Sequence, residues 1–161
     1  MSFNNLNNNY YGVTVGTSAS QASIPEELGV GTYEVELNDI DTKVSKTGKP
    51  MITAKFLIVS AYEEENKRFE GSYHWKNSVI LNSQDTGDKR NAFFFSKTVE
   101  FLKSLAPELT PDNPNNLRAI DDWVVDIQEE LNKGPIAYEV FYGVTNKKSN
   151  FKDLIVKSIL E

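Results

Sequence analysis

Residues 31–59, GTYEVELNDIDTKVSKTGKPMITAKFLIV, predict two β-strands joined by a polar turn. In the first half Tyr33, Val35 and Leu37 alternate with polar residues, which is the two-residue period of a strand with one buried face. The alternation breaks near residues 38–39, and the break indicates a β-bulge or a strong bend. The second half is rich in β-branched, aromatic and apolar residues, which strands favour. The segment therefore predicts an antiparallel hairpin.

The turn and second strand of this hairpin carry an excess of positive charge. Residues 43–59 hold four lysines and no acid, in a chain whose net charge is −6. The four are Lys43, Lys46, Lys49 and Lys55. Basic residues gathered on an acidic protein indicate a surface for a polyanion. The alternative is that these lysines only keep an exposed turn soluble and guard a sheet edge.

The composition is that of a soluble globular protein, and 161 residues are about one domain. Because there is no cysteine, a disulfide framework, a thiolate zinc site and a cysteine nucleophile are excluded. No apolar run approaches the roughly 18 residues of a membrane span, and the N-terminus lacks the pattern of a secretion signal. We therefore expect a cytoplasmic protein that does not contact membranes.

The chain divides into an arm and a domain. Residues 1–28 are predicted to be a flexible arm, because five of residues 4–9 are asparagine and the rest offers little to bury. Residues 29–161 are predicted to form a single domain with an acidic helical insertion at about 108–132. The elements expected in it are strands over 31–42, 51–59 and 68–76, helices over 89–105 and 119–132, and strands over 136–144 and 151–160.

The predicted order β-β-β-α-α-β-β indicates a fold that is mainly β with some α. It lacks the alternation of strands and helices that a parallel sheet requires. The best match is a five-stranded OB-fold-like barrel, in which the loops joining strands one to two and four to five flank one binding face. Both loops are basic here, at 43–50 and 146–150. We expect the two turns to converge at the rim of a closed sheet and to grip a phosphate chain.

Three segments of the chain resemble phage-encoded single-stranded DNA-binding proteins from replication and recombination modules, a family formerly described as a domain of unknown function. They are GTYEVEL at 31–37, SKTGKPM at 45–51 and FLI at 56–58. The resemblance covers residues 30–105 and, more loosely, 136–160. Members of that family often end in a short acidic tail, whereas this chain ends KSILE.

The resemblance implies an OB-fold that coats and protects single-stranded DNA with little sequence preference. It also implies a homo-oligomer, dimeric or larger, in the cytoplasm of the host cell. Phage or host recombination and replication proteins would be its further partners.

Binding a single strand requires cations that follow the phosphates and flat rings on which bases stack, at about 1–3 kcal/mol per base. The candidate cations are Lys43, Lys46, Lys49, Lys55, Lys147, Lys148 and Lys152. The candidate rings are Tyr73, His74, Trp75, Tyr142 and Phe151.

Several rings admit a second interpretation. Tyr73 and Trp75 lie on the more apolar face of the predicted third strand, which favours core packing over stacking. His74 either lines the binding face or is an ordinary surface residue. Phe93 projects away from the buried stripe of its helix, which suits either a functional contact or an oligomer contact. Trp123 belongs to the apolar stripe of the second helix and is expected in the core.

Residues 108–130 hold seven acids against one base, Arg118. This charge would repel DNA, so we expect the second helix to lie away from the binding face. The alternative function is a protein–protein interaction module that acts through this acidic helix. A solvated helix face also explains the acids.

Enzymatic functions are poorly supported. Asp122 and Asp126, with Glu129 and Glu130, could hold a divalent ion for a nuclease, but a solvated helix face is the better explanation, because no further histidine or carboxylate cluster converges on them by any visible pattern. The triplet DTG at 85–87 matches that of aspartic proteases without their buried strand context. No phosphate-binding G-x-x-x-x-G-K-[ST] segment is present. We therefore expect no catalytic residue, metal or cofactor.

Overall fold

The structure is a computed structural model, and it describes residues 27–85, 87–145 and 150–161. Its strands are β1 (Gly31–Val44), β2 (Pro50–Ala61), β3 (Tyr73–Val79), β4 (Ile136–Val144) and β5 (Lys152–Leu160). Its helices are α1 (Lys89–Leu105) and α2 (Leu117–Leu131), and short 3-10 helices span Glu64–Phe69 and Pro107–Leu109. The prediction of a mainly β protein with two helices between the third and fourth strands is confirmed. Most of the predicted arm lies outside the described residues.

The five strands form one antiparallel sheet in the order β3-β2-β1-β4-β5. The expectation of a closed barrel is wrong, because within the described residues no backbone ladder joins β3 to β5. Helix α1 packs against both of these edge strands. The edges are therefore connected through a helix and side chains instead of backbone hydrogen bonds.

Strand β1 lies at the centre of the sheet and is bent by two irregularities. The pairing with β2 shifts register between Leu37 and Asp39, which confirms the predicted bulge, and again between Glu34 and Val35. An extra residue reverses the facing of the side chains that follow it. Ile40 is consequently buried, although it is out of phase with Leu37 in the sequence.

The core lies between the inner face of this sheet and the two helices. Strands β1 and β2 contribute Tyr33, Val35, Leu37, Ile52, Phe56 and Ile58, all buried. Phe101 of α1 meets Phe56 edge to face, with ring centroids 6.5 Å apart. Helix α2 contributes Trp123, as predicted, with Ile120 and Ile127. Leu28, assigned to the arm by its sequence, also packs into this core.

The third strand begins later than predicted. The sequence predicts a strand over residues 68–76, but Phe69 is the last residue of a 3-10 helix. Its side chain is buried in the core. Asn66 in the same helix is buried and donates a hydrogen bond to the carbonyl of Val30 at 2.9 Å. Gly71 then adopts a positive φ of 89°, which turns the chain into β3. The alternation of Phe69 with Tyr73 is thus a coincidence of sequence and does not define one strand face.

The helices begin where side chains can accept hydrogen bonds from their first amides. Asp88 caps α1, as predicted, and accepts from the amide of Arg90 at 2.9 Å. Asn116 caps α2 and accepts from the amide of Ala119 at 2.8 Å, so this helix begins two residues before the predicted position. Within the ranges that the structure describes, neither helix has the length and apolar character needed to cross a bilayer.

Candidate nucleic-acid interface

The outer face of β2 and β3 carries a cation and two aromatic rings. Lys55 lies directly across from Trp75 in the ladder, and Leu57 lies across from Tyr73. Ala54 and Phe56, the neighbours of Lys55 in β2, face the core. Because side chains alternate along a strand, Lys55 and the two rings across from Lys55 and Leu57 face solvent. Tyr73 is 47% exposed and Trp75 is 54% exposed. The expectation that these rings pack in the core is therefore wrong, because β3 begins at Tyr73 and its other face packs inwards.

The three side chains form a compact cluster, which we call the Lys55 platform (Lys55, Tyr73 and Trp75). The Lys55 ammonium lies 4.3 Å from the ring centroid of Tyr73 and 5.5 Å from that of Trp75. The two ring centroids are 6.1 Å apart, with an angle of 50° between the planes. Such a platform offers flat apolar faces for bases and one positive charge for a phosphate.

His74 lies on the opposite, inner side of β3. It is half-buried, and its ring meets that of Tyr142 edge to face at 5.2 Å between centroids. Burial, and secondly the neighbouring charge of Lys76, lower the pKa of His74. Tyr142 is buried as well, so its ring faces are covered by protein. These two predicted site residues join β3 to β4 and do not extend the Lys55 platform.

Lys76 and Asp153 form an ion pair across the gap between β3 and β5. The Lys76 side chain is only 9% exposed, and its ammonium also lies 5.0 Å from the ring centroid of Phe101 on α1. Sequence analysis missed this pair, because no periodic pattern connects residues on two strands so far apart in the chain. We call the Lys76–Asp153 contact the β3–β5 seam.

The β4–β5 connection is described only at its ends. Predicted site residues Lys147 and Lys148 lie outside the described residues. Phe151 is exposed. Lys152 forms an ion pair with Glu27 at 3.5 Å, and the hydroxyl of Tyr142 donates to the same carboxylate at 3.3 Å. Burial, and secondly the Glu27 carboxylate, raise the pKa of Tyr142, so its hydroxyl is a donor at neutral pH.

The β1–β2 turn is closed by its own backbone. The amide of Ser45 donates to the carbonyl of Lys49 at 2.8 Å, and Gly48 adopts a positive φ of 82°. Lys43 and Lys46 are exposed. The ammonium of Lys49 donates to the side chain of Asn82 at 3.2 Å, so this lysine is held beside the chain that follows β3.

The expectation that the two basic turns converge falls on residues 146–149 for the second turn, and these lie outside the described residues. β1 pairs with β4 through its first half, Gly31 opposite Tyr142, whereas the β1–β2 turn lies at the far end of β1 after Val44. Val79 at the end of β3 lies next to Met51, just after that turn, while the ion pair of Lys76 with Asp153 sets the start of β5 beside the middle of β3. The β1–β2 turn and the start of β5 therefore lie at different positions along β3.

Acids border this surface. Strand β1, next to β2, carries Glu34, Glu36, Asp39 and Asp41 on its outer face, and Glu139 of β4 lies across from Glu34. Asp39 lies directly across from Lys55 in the β1–β2 ladder. A nucleic-acid strand that followed the outer face would meet repulsion over β1, so the usable path is confined to β2 and β3.

Helix α2 packs against the inner face of β1. The Thr42 hydroxyl donates to Asp121 at 2.9 Å, and the Gln128 amide donates to the carbonyl of Ile40 at 2.7 Å. Asp122, Asp126 and Glu129 are exposed. Among the residues that the structure describes, no three His, Asp or Glu side chains are grouped closely enough to hold a metal ion.

Of the DTG triplet at 85–87, Asp85 and Gly87 are exposed before α1, and the Asp85 carboxylate accepts from the amide of Gly87 at 2.9 Å. Thr86 lies outside the described residues. Comparison with protein-family models and with curated proteins gives no match.

Proposed function

We propose that this protein binds single-stranded DNA, coating it with little sequence preference. The observation that carries the proposal is the Lys55 platform, in which one ammonium lies between two exposed rings on a strand face. Every base has a flat face, so stacking is tolerant of sequence and contributes about 1–3 kcal/mol per base. The ammonium supplies the opposite charge to a phosphate beside the stacked bases.

The fold supports this proposal through the position of the platform. The order β3-β2-β1-β4-β5 is that of an OB-fold opened between its third and fifth strands, with the β3–β5 seam at the closing position. OB-folds bind oligonucleotides on the face of strands two and three, between the loops that join strands one to two and four to five. The platform occupies that face, and the lysine-bearing β1–β2 turn lies next to the end of β3 at Val79.

The cations outside the platform extend the path of the strand. Lys43 and Lys46 are exposed at one end of it, and Lys152 lies at the other. Lys49, Lys147 and Lys148 are the remaining candidates. We propose that the strand follows β3 between the turns, because the acids of β1 exclude phosphates from the rest of the outer face.

The resemblance of residues 31–58 to phage single-stranded DNA-binding proteins supports a role in phage DNA replication and recombination. We propose on the same basis a homo-oligomer in the host cytoplasm that contacts recombination or replication proteins. No enzymatic activity forms part of this proposal.

Fluorescence titration with oligo(dT) tests the proposal directly. The chain has two tryptophans, and Trp123 is buried while Trp75 is exposed, so a change on binding would report Trp75. The logarithm of affinity should fall with the logarithm of salt concentration by about 0.7 per phosphate contact, or about 3.5 for five contacts. Duplex DNA and oligo(U) are the competitors that define strand and sugar preference. Absent or salt-independent binding would overturn the proposal.

The alternative is a protein-interaction module that acts through its acidic surface. Helix α2 sets its own acids near one acid of β1, because Asp121 accepts from the Thr42 hydroxyl and Gln128 contacts Asp41. Such a module would bind a basic protein, would lose that binding on replacement of Asp121, Asp122, Glu129 and Glu130, and would have no affinity for oligo(dT).

A further inference from the structure

Strand β5 is an edge of the sheet, and its second half is open to solvent. Within the described residues β5 pairs with β4 alone, so the backbone amides and carbonyls on its other side have no strand partner there. The seam holds only the start of β5 beside β3. Lys157, Ser158 and Ile159 are consecutive and all exposed, so neither face of the strand is covered at this point. The segment 155–160 is therefore able to accept a further strand.

Lys157 is an extra residue in β5. The ladder with β4 passes from Val140 opposite Val156 to Glu139 opposite Ser158, which leaves Lys157 without a position opposite it in β4. An extra residue reverses the facing of the side chains that follow it. Two residues on either side of Lys157 that are an odd number of positions apart therefore point to the same face of the sheet.

Val156 and Ile159 point to the inner face. They lie across from Val140 and Tyr138, whose side chains are both fully buried. Ile159 is nevertheless 38% exposed, because β5 has no neighbouring strand on its other side. An inward-facing apolar side chain is thus left partly uncovered at the edge of the core.

Ile155 and Leu160 point to the outer face. Ile155 lies across from Phe141, and Leu160 lies across from Ala137. Both partners alternate with the buried residues of β4 and so face outwards. Each face of the segment consequently carries one apolar residue before Lys157 and one apolar residue after it.

We propose that two copies of this chain pair through residues 155–160 of β5, antiparallel and about a two-fold axis. The segment reads IVKSIL, apolar at both ends and polar in the middle. The axis passes between the fourth and third residues from its end, and each apolar pair then joins side chains of one face. The pairs across the axis are Ile155 with Leu160, Val156 with Ile159 and Lys157 with Ser158 of the second copy.

The segment favours a second copy because a two-fold interface requires a surface that complements itself. Val156 of the second copy would cover the exposed part of Ile159, and apolar pairs across strands stabilise a sheet. Centring the pairing on Lys157 would instead set two lysines opposite each other, which is destabilising, and would join side chains of different faces. Lys157 and its bulge therefore select one register.

This inference rests on the proposed function only for the existence of a homo-oligomer, and it names the surface that forms it. The Lys55 platform lies on β2 and β3 and takes no part in the contact. Six residues of strand make a small interface, so the dimer should dissociate in the micromolar range. Sedimentation velocity over a range of micromolar concentrations measures this association.

Ile155→Glu and Leu160→Lys should each weaken dimerisation by about tenfold or more. Each change occurs twice in a two-fold dimer and sets a charge against an apolar side chain. The matched control is Val125→Glu, which introduces the same charge at an exposed valine of α2. This control should dimerise as tightly as the wild type.

The double variant Ile155→Glu/Leu160→Lys should restore the dimer, because a glutamate then meets a lysine of the second copy at both ends of the segment. Within one chain the two positions are about 16 Å apart along the strand, too far to compensate each other. Recovery in the double variant therefore reports contact between copies in the proposed register.

A wild type that stays monomeric at every concentration would overturn the interface. Single variants that dimerise as tightly as the wild type would also overturn it, and so would a double variant no better than the single ones. Thermal melting of each variant confirms that it is folded.

Titration with oligo(dT) separates this inference from the proposed function. A monomeric wild type that binds oligo(dT) would overturn the interface and leave DNA binding intact. A dimer that is lost in the single variants and restored in the double variant, but that does not bind oligo(dT), would support the interface and overturn DNA binding.

Discussion

The ammonium of Lys76 lies against the carboxylate of Asp153, and this contact joins the two edge strands of an open sheet. β3 and β5 share no ladder in the described chain, so this ion pair links them directly, while the His74–Tyr142 contact joins β3 to β4, the neighbour of β5. Helix α1 covers the same gap from the inner side. Side chains thus perform here the task that backbone hydrogen bonds perform elsewhere in the sheet.

Asp153→Ala should destabilise the protein by about 2 kcal/mol, because it leaves the nearly buried ammonium of Lys76 without its carboxylate. The figure is below that for a fully buried pair, since Asp153 is about a third exposed. Urea unfolding measures the loss. The control is Glu100→Ala, which breaks an exposed pair with Lys97 and should cost less than about 1 kcal/mol. Equal effects of the two substitutions would contradict the structural role of the seam.

Trp75→Ala should weaken oligo(dT) binding by about 1–3 kcal/mol, the contribution of one stacked base. Since the ring is more than half exposed, the melting temperature should change little. Phe93→Ala is the control, because it removes an equally exposed ring from α1, away from the platform. Binding is measured by fluorescence anisotropy of a labelled oligonucleotide. A similar loss from both substitutions would indicate a general effect of removing exposed rings.

Replacement of Lys43 and Lys46 by glutamine should reduce the salt dependence of oligo(dT) binding by about 0.7 for each lysine that contacts a phosphate. Both side chains are exposed at the β1–β2 turn, so stability should be unaffected. Lys133→Gln, at the end of α2, is the control for the loss of a surface charge. An unchanged slope in the double variant would remove this turn from the binding path.

The stability of the protein should fall below about pH 6.5, the ordinary pKa of histidine. Burial lowers the pKa of His74 in the folded state, Lys76 adds to this, and Asp153 opposes it. The unfolded chain therefore takes up a proton at a higher pH than the folded chain, and folding becomes less favourable as the pH falls from the unfolded pKa towards the lower folded pKa. His74→Asn should lose less stability than the wild type between pH 8 and pH 5 in urea unfolding. Parallel losses would show that His74 does not contribute.

Gly29→Ala should destabilise the start of β1. A Cβ atom at this position would lie 2.0 Å from the Asn66 side-chain oxygen, so Asn66 must move. Asn66 is buried and donates to Val30, and disturbing a buried hydrogen bond costs about 1–3 kcal/mol. Gly87→Ala meets its nearest neighbour at 3.4 Å and serves as the control, with an expected change within about 0.5 kcal/mol. Thermal unfolding compares the two.

Local pattern was enough to predict most of the elements. Alternation defined β1, and the break in it located the bulge after Leu37 because a strand with one buried face tolerates no other phase. Asp88 marked the start of α1, since an aspartate before a helical apolar stripe is a preferred cap. The limits of β3 could not be predicted, because Phe69 fits the alternation of a strand equally well from the end of a 3-10 helix.

The candidate site was predicted in its residue types more than in its arrangement. Lys55, Tyr73 and Trp75 were candidates from chemistry alone, but their sharing one exposed face depends on where β3 begins and on its register with β2. The burial of Tyr142 and the pairing of Lys152 with Glu27 depend on contacts between distant parts of the chain. The prediction that the sheet closes into a barrel failed for a different reason. Closure depends on the curvature of the sheet, and side-chain periodicity carries no measure of curvature.

The central position of β1 has a consequence for how the protein is made. Gly31 pairs with Tyr142 and Leu37 with Ile136, so one edge of β1 pairs with a strand about 100 residues later in the chain. A ribosome releases β1, β2 and β3 well before that edge is covered. The nascent three-stranded unit therefore presents an open row of amides and carbonyls during synthesis, and contacts of such long sequence separation fold slowly. Chaperone demand and aggregation at high expression should consequently depend on the speed with which the C-terminal hairpin arrives.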